Sequence, residues 1–358
     1  MLRAVLTLLA GGALAQALPL LLGPWLTRLY RPDEFGIYHL FAAVAANLAV
    51  VACARYEFAL PMAQDEPEAE ALRRLCLRLL IGAMVLTALG AVAWGLWLGA
   101  LWPLWLPVAV GALGMVSLAT LNATRGQRFQ GLAIARVLQH GGGALLQAVA
   151  GVLQAGVLGL IVAPIVAAGA ALAALGWPGT RAAASAQGPS WCSVALRYRS
   201  FPLLNTPHAF LGVLQDTVAV ALIAGALGPA AAGAWGLSLR YLKAPATLVG
   251  GAVSQALYPR LGSEGAGSAD AGRCTPAGRA LVQRTMLLLA ALAAPLVAGL
   301  WWIGPDLFVW AFGPAWAEAG TLARALAVYI GLHFIASPLG VVTMAWQAQA
   351  WALRFSLV

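Results

Sequence analysis

The sequence predicts an all-α integral membrane protein of about ten transmembrane helices in two parallel repeated lobes. Three observations lead there. Of the 358 residues, 62% are apolar and only 9% charged, whereas a soluble domain carries roughly a quarter charged residues. The apolar residues fall in stretches of about twenty, the length a helix rising about 1.5 Å per residue needs to cross a bilayer. A hairpin motif then recurs in the two halves of the chain. So few charges cannot cover a water-soluble surface, and so much apolar surface excludes a disordered chain. A closed barrel also satisfies its backbone in lipid, but its alternating strands of about ten residues are not seen in this sequence.

Taken in order, the spans lie at about 4–27, 36–60, 75–98, 103–121, 132–152, 155–175, 203–224, 230–257, 281–303 and 319–341. The first opens with Arg3 and holds Ala13-Leu14-Ala15, as a secretory signal would. Its apolar run continues to Leu26, longer than a signal core. Before the third span stand Asp65, Glu66, Glu68 and Glu70, then Arg73-Arg74. That pattern predicts a solvated turn with charges placed at a helix end. The fifth and sixth spans are rich in Gly and Ala, as at Gly141–Ala144, which lets helices approach closely in lipid. Residues 346–358 read as the start of a further span. The predicted organisation is a six-helix lobe at 1–176, a linker at 177–202 and an incomplete second lobe at 203–358.

The repeat rests on two hairpins. Pro32-x-x-x-Gly36-Ile37-Tyr38 precedes the second span, and Pro229-x-x-x-Gly233-Ala234-Trp235 precedes the eighth. The glycines are 197 positions apart, and each span is expected to end at a proline, Pro61 and Pro259. An even number of helices separates the copies, so the halves run parallel. Transporters are often built from such halves.

The net charge of +9 looks like a nucleic-acid signal until the charges are placed. With the N-terminus cytoplasmic, one side of the membrane holds Arg3, Arg73, Arg74, Arg78, Arg125, Arg128, Arg136, Arg181, Arg197, Arg199, Arg260, Arg273, Arg279, Arg284 and Arg354. The other side holds Arg28 and Arg31. Basic residues are retained inside during insertion, so the charge is an orientation signal and no nucleic acid is required. Trp25, Trp94, Trp97, Trp102, Trp105, Trp235, Trp301, Trp302, Trp310 and Trp316 fall near the opposite ends, where indoles suit the headgroup layer. No metal site or cofactor is expected. Cys53, Cys76, Cys192 and Cys274 form no CxxC pair, and His39, His140, His208 and His333 have no metal-binding spacing.

Several stretches carry a family resemblance. Leu29–Pro61 contains Leu-Tyr-x-Pro-x-Glu-Phe-Gly-Ile-Tyr and then Arg55-Tyr56-Glu57. Asn122–Gly151 contains Arg125, Arg128-Phe129, Arg136-Val137, Gln139 and Gln147. Arg197–Pro259 contains Phe201-Pro202, Asn205-Thr206-Pro207, Gly228-Pro229, Pro245 and Tyr258-Pro259, and Phe312-Gly313 leads to Trp316 and Gly320. In this order they resemble the lipid-linked oligosaccharide flippases of O-antigen and exopolysaccharide synthesis. These belong to the multidrug/oligosaccharidyl-lipid/polysaccharide exporter superfamily. The resemblance implies two six-helix lobes around a central cavity, with two more helices than this chain spans. It implies a multi-pass protein of the bacterial inner membrane that is a carrier and not an enzyme. The implied substrate is undecaprenyl-pyrophosphate-linked oligosaccharide, taken from membrane lipid, and the implied partners are a glycan polymerase and chain-length complex. A small-molecule antiporter of the same superfamily and a non-transporting partner of a glycan assembly complex remain the alternatives.

Charges at depth mark the candidate site, because a charge deep in a bilayer faces a cavity or a partner. Arg240 and Lys243 lie about 15–20 Å into the eighth span and share one helix face. Under the resemblance they attract the pyrophosphate, Arg through paired hydrogen bonds and Lys as a point charge. Asp216 in the seventh span lies about 12 Å from its end and is the candidate ion-pair partner of Arg240. Arg28 and Arg324 are candidates for the outer mouth. His333 in the tenth span is a candidate protonation site. Arg55 and Glu57 are expected to snorkel to the headgroups.

Overall fold

The computed structural model describes residues 2–176, 189–263 and 276–345. The expected further span at 346–358, together with Arg181, Arg273 and Cys274, lies outside the described residues. Among the described residues the chain is helical throughout, with no strand. It divides into two compact units, Met1–Gly233 and Ala234–Val358.

The first unit runs through α1 (Leu2–Leu29), α2 (Pro32–Val51), a 3-10 segment (Tyr56–Met62), α3 (Glu66–Leu98), α4 (Leu106–Arg125), α5 (Phe129–Arg136), α6 (Gly143–Val152), α7 (Gly156–Leu175), α8 (Trp191–Arg197) and α9 (Thr206–Leu227). It also contains the start of α10 (Pro229–Ser263), which continues into the second unit. There follow α11 (Pro276–Phe312), α12 (Ala317–Ala325) and α13 (Ala327–Ala345). Among the described residues, six helices are long and apolar enough to cross a membrane: α2, α3, α4 with the turn before it, α7, α9 with the turn before it, and α11. A seventh crossing would be a broken one, since the α12 segment and α13 meet at 61°. Leu96 is 80% exposed on α3 and Trp302 78% on α11. Side chains of that kind belong against lipid and would form an aggregating patch in water.

Local chemistry sets the helix ends. Pro32 opens α2, where its missing N–H costs nothing, and the Glu34 carboxylate accepts the Arg31 backbone N–H at 2.8 Å. Asp65 caps α3 by accepting the Glu68 N–H at 2.8 Å, while Glu68 accepts the Gln64 N–H at 2.8 Å. The two bonds satisfy backbone N–H groups at the start of α3 and tie its first turn to the residue before the cap. Gly99 closes α3 at φ +64°, a left-handed position that glycine takes without strain. The rod α5–α6 is continuous through a π-helical stretch at Val137–Gly142. There Gly141 lies against Leu18 of α1.

Helix occurs at all ten expected stretches, but several boundaries move for physical reasons. The second was expected to run to residue 60. It stops at Val51, because Ala54 and Arg55 turn left-handed at φ 47° and 60°, a conformation that ends a right-handed helix. Its repeat counterpart, the eighth span, was expected to end at Pro259, but α10 continues past it to Ser263. The third helix starts at Glu66. At about 1.5 Å per residue its 33 residues reach about 50 Å, so its first turns project beyond a core of about 30 Å.

At their other ends the two Pro-x-x-x-Gly hairpins meet. An ideal methyl group on Gly36 would stand 1.7 Å from the Pro229 carbonyl oxygen and 3.0 Å from the Gly233 nitrogen. One on Gly233 would stand 2.1 Å from the Pro32 oxygen and 3.0 Å from the Gly36 nitrogen. Only glycine permits this backbone approach. Nearby, Tyr30 donates to the Gln147 carbonyl at 2.7 Å and Gln147 donates to the Leu160 carbonyl at 3.0 Å, which ties the end of α1 to α6 and α7.

Candidate functional site

Two serines fix α10 within the second unit. Ser238 is fully buried and donates to the Ala319 carbonyl of α12 at 2.7 Å. Ser254 donates to the Pro338 carbonyl of α13 at 3.0 Å. Hydrogen bonds of this kind set helix register in an apolar environment. Between these anchors Arg240 and Lys243 are half-buried, one turn apart. Tyr241 turns elsewhere, with its ring 4.6 Å from that of Phe312.

On α13, His333 is half-buried and stacks on Tyr329, with ring centroids 6.0 Å apart and planes 20° from parallel. Lys243 lies close enough to His333 to act on it electrostatically. The sequence marks the two independently; the register of α10 against α13 brings them together. Arg240 offers a planar fork of donors and Lys243 a compact charge, a combination that suits a phosphate group.

The remaining candidates are less enclosed. Arg28 is exposed in the last turn of α1, Arg324 in the last turn of α12, and Asp216 on α9 in the first unit. A groove of about 560 Å³ between α11 and α13 is lined by Ala290, Ala294, Val297, Trp302, Val328 and Leu332. Its apolar lining suits hydrocarbon and offers nothing to an anion.

Two features of the first unit escape the sequence pattern. The acidic run before the third span was expected to be solvated. Instead Glu68 and Glu70 are buried, and so is Arg73. Arg73 donates to Glu70 at 2.9 Å, to Glu66 at 2.5 Å and to Asn122 Oδ1 of α4 at 2.9 Å. Arg125 also pairs with Glu66, and Arg197 of α8 with Glu68 at 2.8 Å. The result is a clamp joining α3, α4 and α8. The hydrogen bond from Arg73, joined by that from Arg125, holds the Glu66 carboxyl below its ordinary value of 4.5. Glu66 opens α3 in the part that projects beyond the membrane core.

The second feature corrects the snorkelling expected of Glu57. Arg55 donates to Asn205 Oδ1 at 3.2 Å and covers the Phe58 ring at 4.1 Å. Glu57 is only 2% exposed. The left-handed turn folds the chain back at this point and carries the carboxylate inward, beside Cys53 and Cys76.

A family described as "Polysaccharide biosynthesis protein" matches residues 25–321. No curated protein and no solved structure matches the chain.

Proposed function

The chain belongs to the polysaccharide biosynthesis protein family, and from that premise we propose that it flips undecaprenyl-pyrophosphate-linked oligosaccharide from the inner to the outer leaflet of the bacterial inner membrane. The observation that carries this reading is the half-buried pair Arg240 and Lys243 on one face of α10, with His333 of α13 within electrostatic reach of Lys243. Cations in an apolar span cost free energy and are kept where they meet a partner or a ligand. A pyrophosphate is the charged part of the substrate and the part that most resists crossing hydrocarbon. A positive strip offsets its desolvation, while the lipid tail stays in the bilayer.

In this reading the N-terminus is cytoplasmic, which the distribution of basic residues supports. Transport proceeds by alternating access, and the protein is a carrier and not an enzyme. The reciprocal contact of Gly36 with Pro229 and Gly233 with Pro32 supports repeated halves, because a two-fold relation pairs each residue with its counterpart's neighbour. A glycan polymerase and chain-length complex would receive the product.

The test is surface glycan in a cell lacking its own flippase, complemented with the full-length gene carrying Arg240→Ala or Lys243→Ala. Each variant is expected to lower surface glycan at least tenfold at unchanged protein level, with Lys243→Arg recovering most of it. Normal glycan in both alanine variants would overturn the phosphate site.

A further inference from the structure

One group of buried side chains takes no part in the transport reading. Cys53 comes from the turn after α2, Glu57 from the 3-10 segment and Cys76 from α3. The two sulfurs and a carboxylate oxygen of Glu57 lie within 4.8 Å of one another. All three residues are buried to 98% or more. Glu57 Oε2 has no hydrogen-bond partner among the described residues, an arrangement that is costly for a buried carboxylate. Cys53 points its thiol at the Cys76 carbonyl, 3.6 Å away. The wall is apolar, built from Ala52, Ala59, Leu60, Leu72 and Val194.

We propose that Cys53, Glu57 and Cys76 form a buried three-ligand site for a thiophilic divalent cation, zinc by its chemistry. Two sulfurs and one carboxylate are a donor set that zinc accepts at about 2.3 Å and about 2.0–2.2 Å. Magnesium and calcium need six or more oxygens, so the two sulfurs exclude them. A divalent charge gives the orphaned Glu57 oxygen a partner and leaves one tetrahedral position for water. On binding, each thiol passes its proton to solvent as its sulfur bonds the metal. The ligands join the turn after α2 to α3, so the ion would fasten these helices together. Spacing alone hides the site, because Glu57 reaches Cys53 through the left-handed turn at Ala54 and Arg55 and Cys76 comes from α3.

The experiment uses the full chain, purified in detergent under reducing conditions and titrated with cobalt(II). One cobalt per chain is expected, with the strong visible absorption of a tetrahedral site and a near-ultraviolet sulfur-to-cobalt band. Zinc should displace both signals. Cys53→Ser and Cys76→Ser should each weaken binding by more than the roughly 10–100-fold that a change behind the ligands costs. Glu57→Gln should weaken binding while keeping the sulfur band, and Cys192→Ser, at an exposed thiol, should change nothing. The unmodified chain giving no tetrahedral signal would overturn the proposal, as would an unchanged signal in the Cys53/Cys76 double variant. A Cys53–Cys76 disulfide in protein isolated from cells would overturn it too. The first measurement needs no variant, so the proposal stands or falls even where a variant fails to fold.

Discussion

Gly36 and Gly233 meet backbone to backbone, each occupying the space that a side chain on the other helix would need. Alanine at either position must push carbonyl oxygens aside, and backbone yields less readily than a side-chain tip. Overpacking costs about 1–3 kcal/mol, and these positions are expected at the upper end. Gly82 and Gly90 of α3 face open space. Alanine there should be neutral or add up to about 1 kcal/mol through helix propensity. Thermal unfolding in detergent checks the contrast, and equal effects at all four positions would refute it.

The clamp predicts an asymmetry between adjacent arginines. The Arg73 side chain is 7% exposed and bonds Glu66, Glu70 and Asn122; Arg74 is 43% exposed and bonds Glu70. Arg73→Ala leaves the buried Glu70 with only its exposed partner Arg74, removes the bonds to Glu66 and Asn122 as well, and should cost about 3–5 kcal/mol. Arg74→Ala should cost at most about 1 kcal/mol. Denaturation of the two variants in one detergent provides the comparison.

Acid should loosen the same clamp. The Glu66 carboxyl is held below its ordinary value of 4.5, so the stability it contributes is complete above that value. It is lost as the pH falls through the lower, folded-state value. The melting temperature should therefore drop below pH 4.5, and Glu66→Gln should flatten part of that drop. A Glu66→Gln profile parallel to the parent's would remove Glu66 from the account.

Ser238 sets the position of α10 two residues before Arg240. Ser238→Ala removes the bond to the Ala319 carbonyl, and such bonds in membranes are worth roughly 0.6–2 kcal/mol. Stability should fall by that amount. Glycan output should fall further than in a variant of equal stability made on lipid-facing α3, because the cationic face also shifts. Equal output from the two would leave Ser238 a packing residue only.

Much of this was legible in the sequence. The helical stretches follow from apolar run length, and the two Pro-x-x-x-Gly hairpins are visible as motifs. That those motifs touch is not visible, since contact depends on how helices far apart in the chain cross. The cations at 240 and 243 stand out because charge is rare in their surroundings. Their neighbour His333 stands out only by type, and the α10–α13 register that brings it towards Lys243 is fixed by the Ser254 bond to Pro338, which has no pattern of its own. The acidic run before α3 misleads because composition cannot distinguish a solvated turn from a buried clamp. Arg73, Asn122 and Arg197, which settle the matter, come from three helices. Glu57 misleads for a different reason: nothing in Cys53-Ala54-Arg55 announces a left-handed turn, which glycine usually marks.

That turn shortens α2 to 20 residues, about 30 Å at helical rise. Its neighbour α3 is more than half as long again. Membranes differ in thickness by a few ångströms, and a span longer than the core can lean over, whereas a shorter one forces the lipid to thin. α2 has almost no length to spare for leaning. The turn at Ala54 and Arg55 therefore acts as a gauge. It matches the protein to a hydrocarbon layer of about 30 Å, and reconstitution into longer-chain lipids should strain α2, and α7 with the same 20 residues, before the longer spans of the first unit.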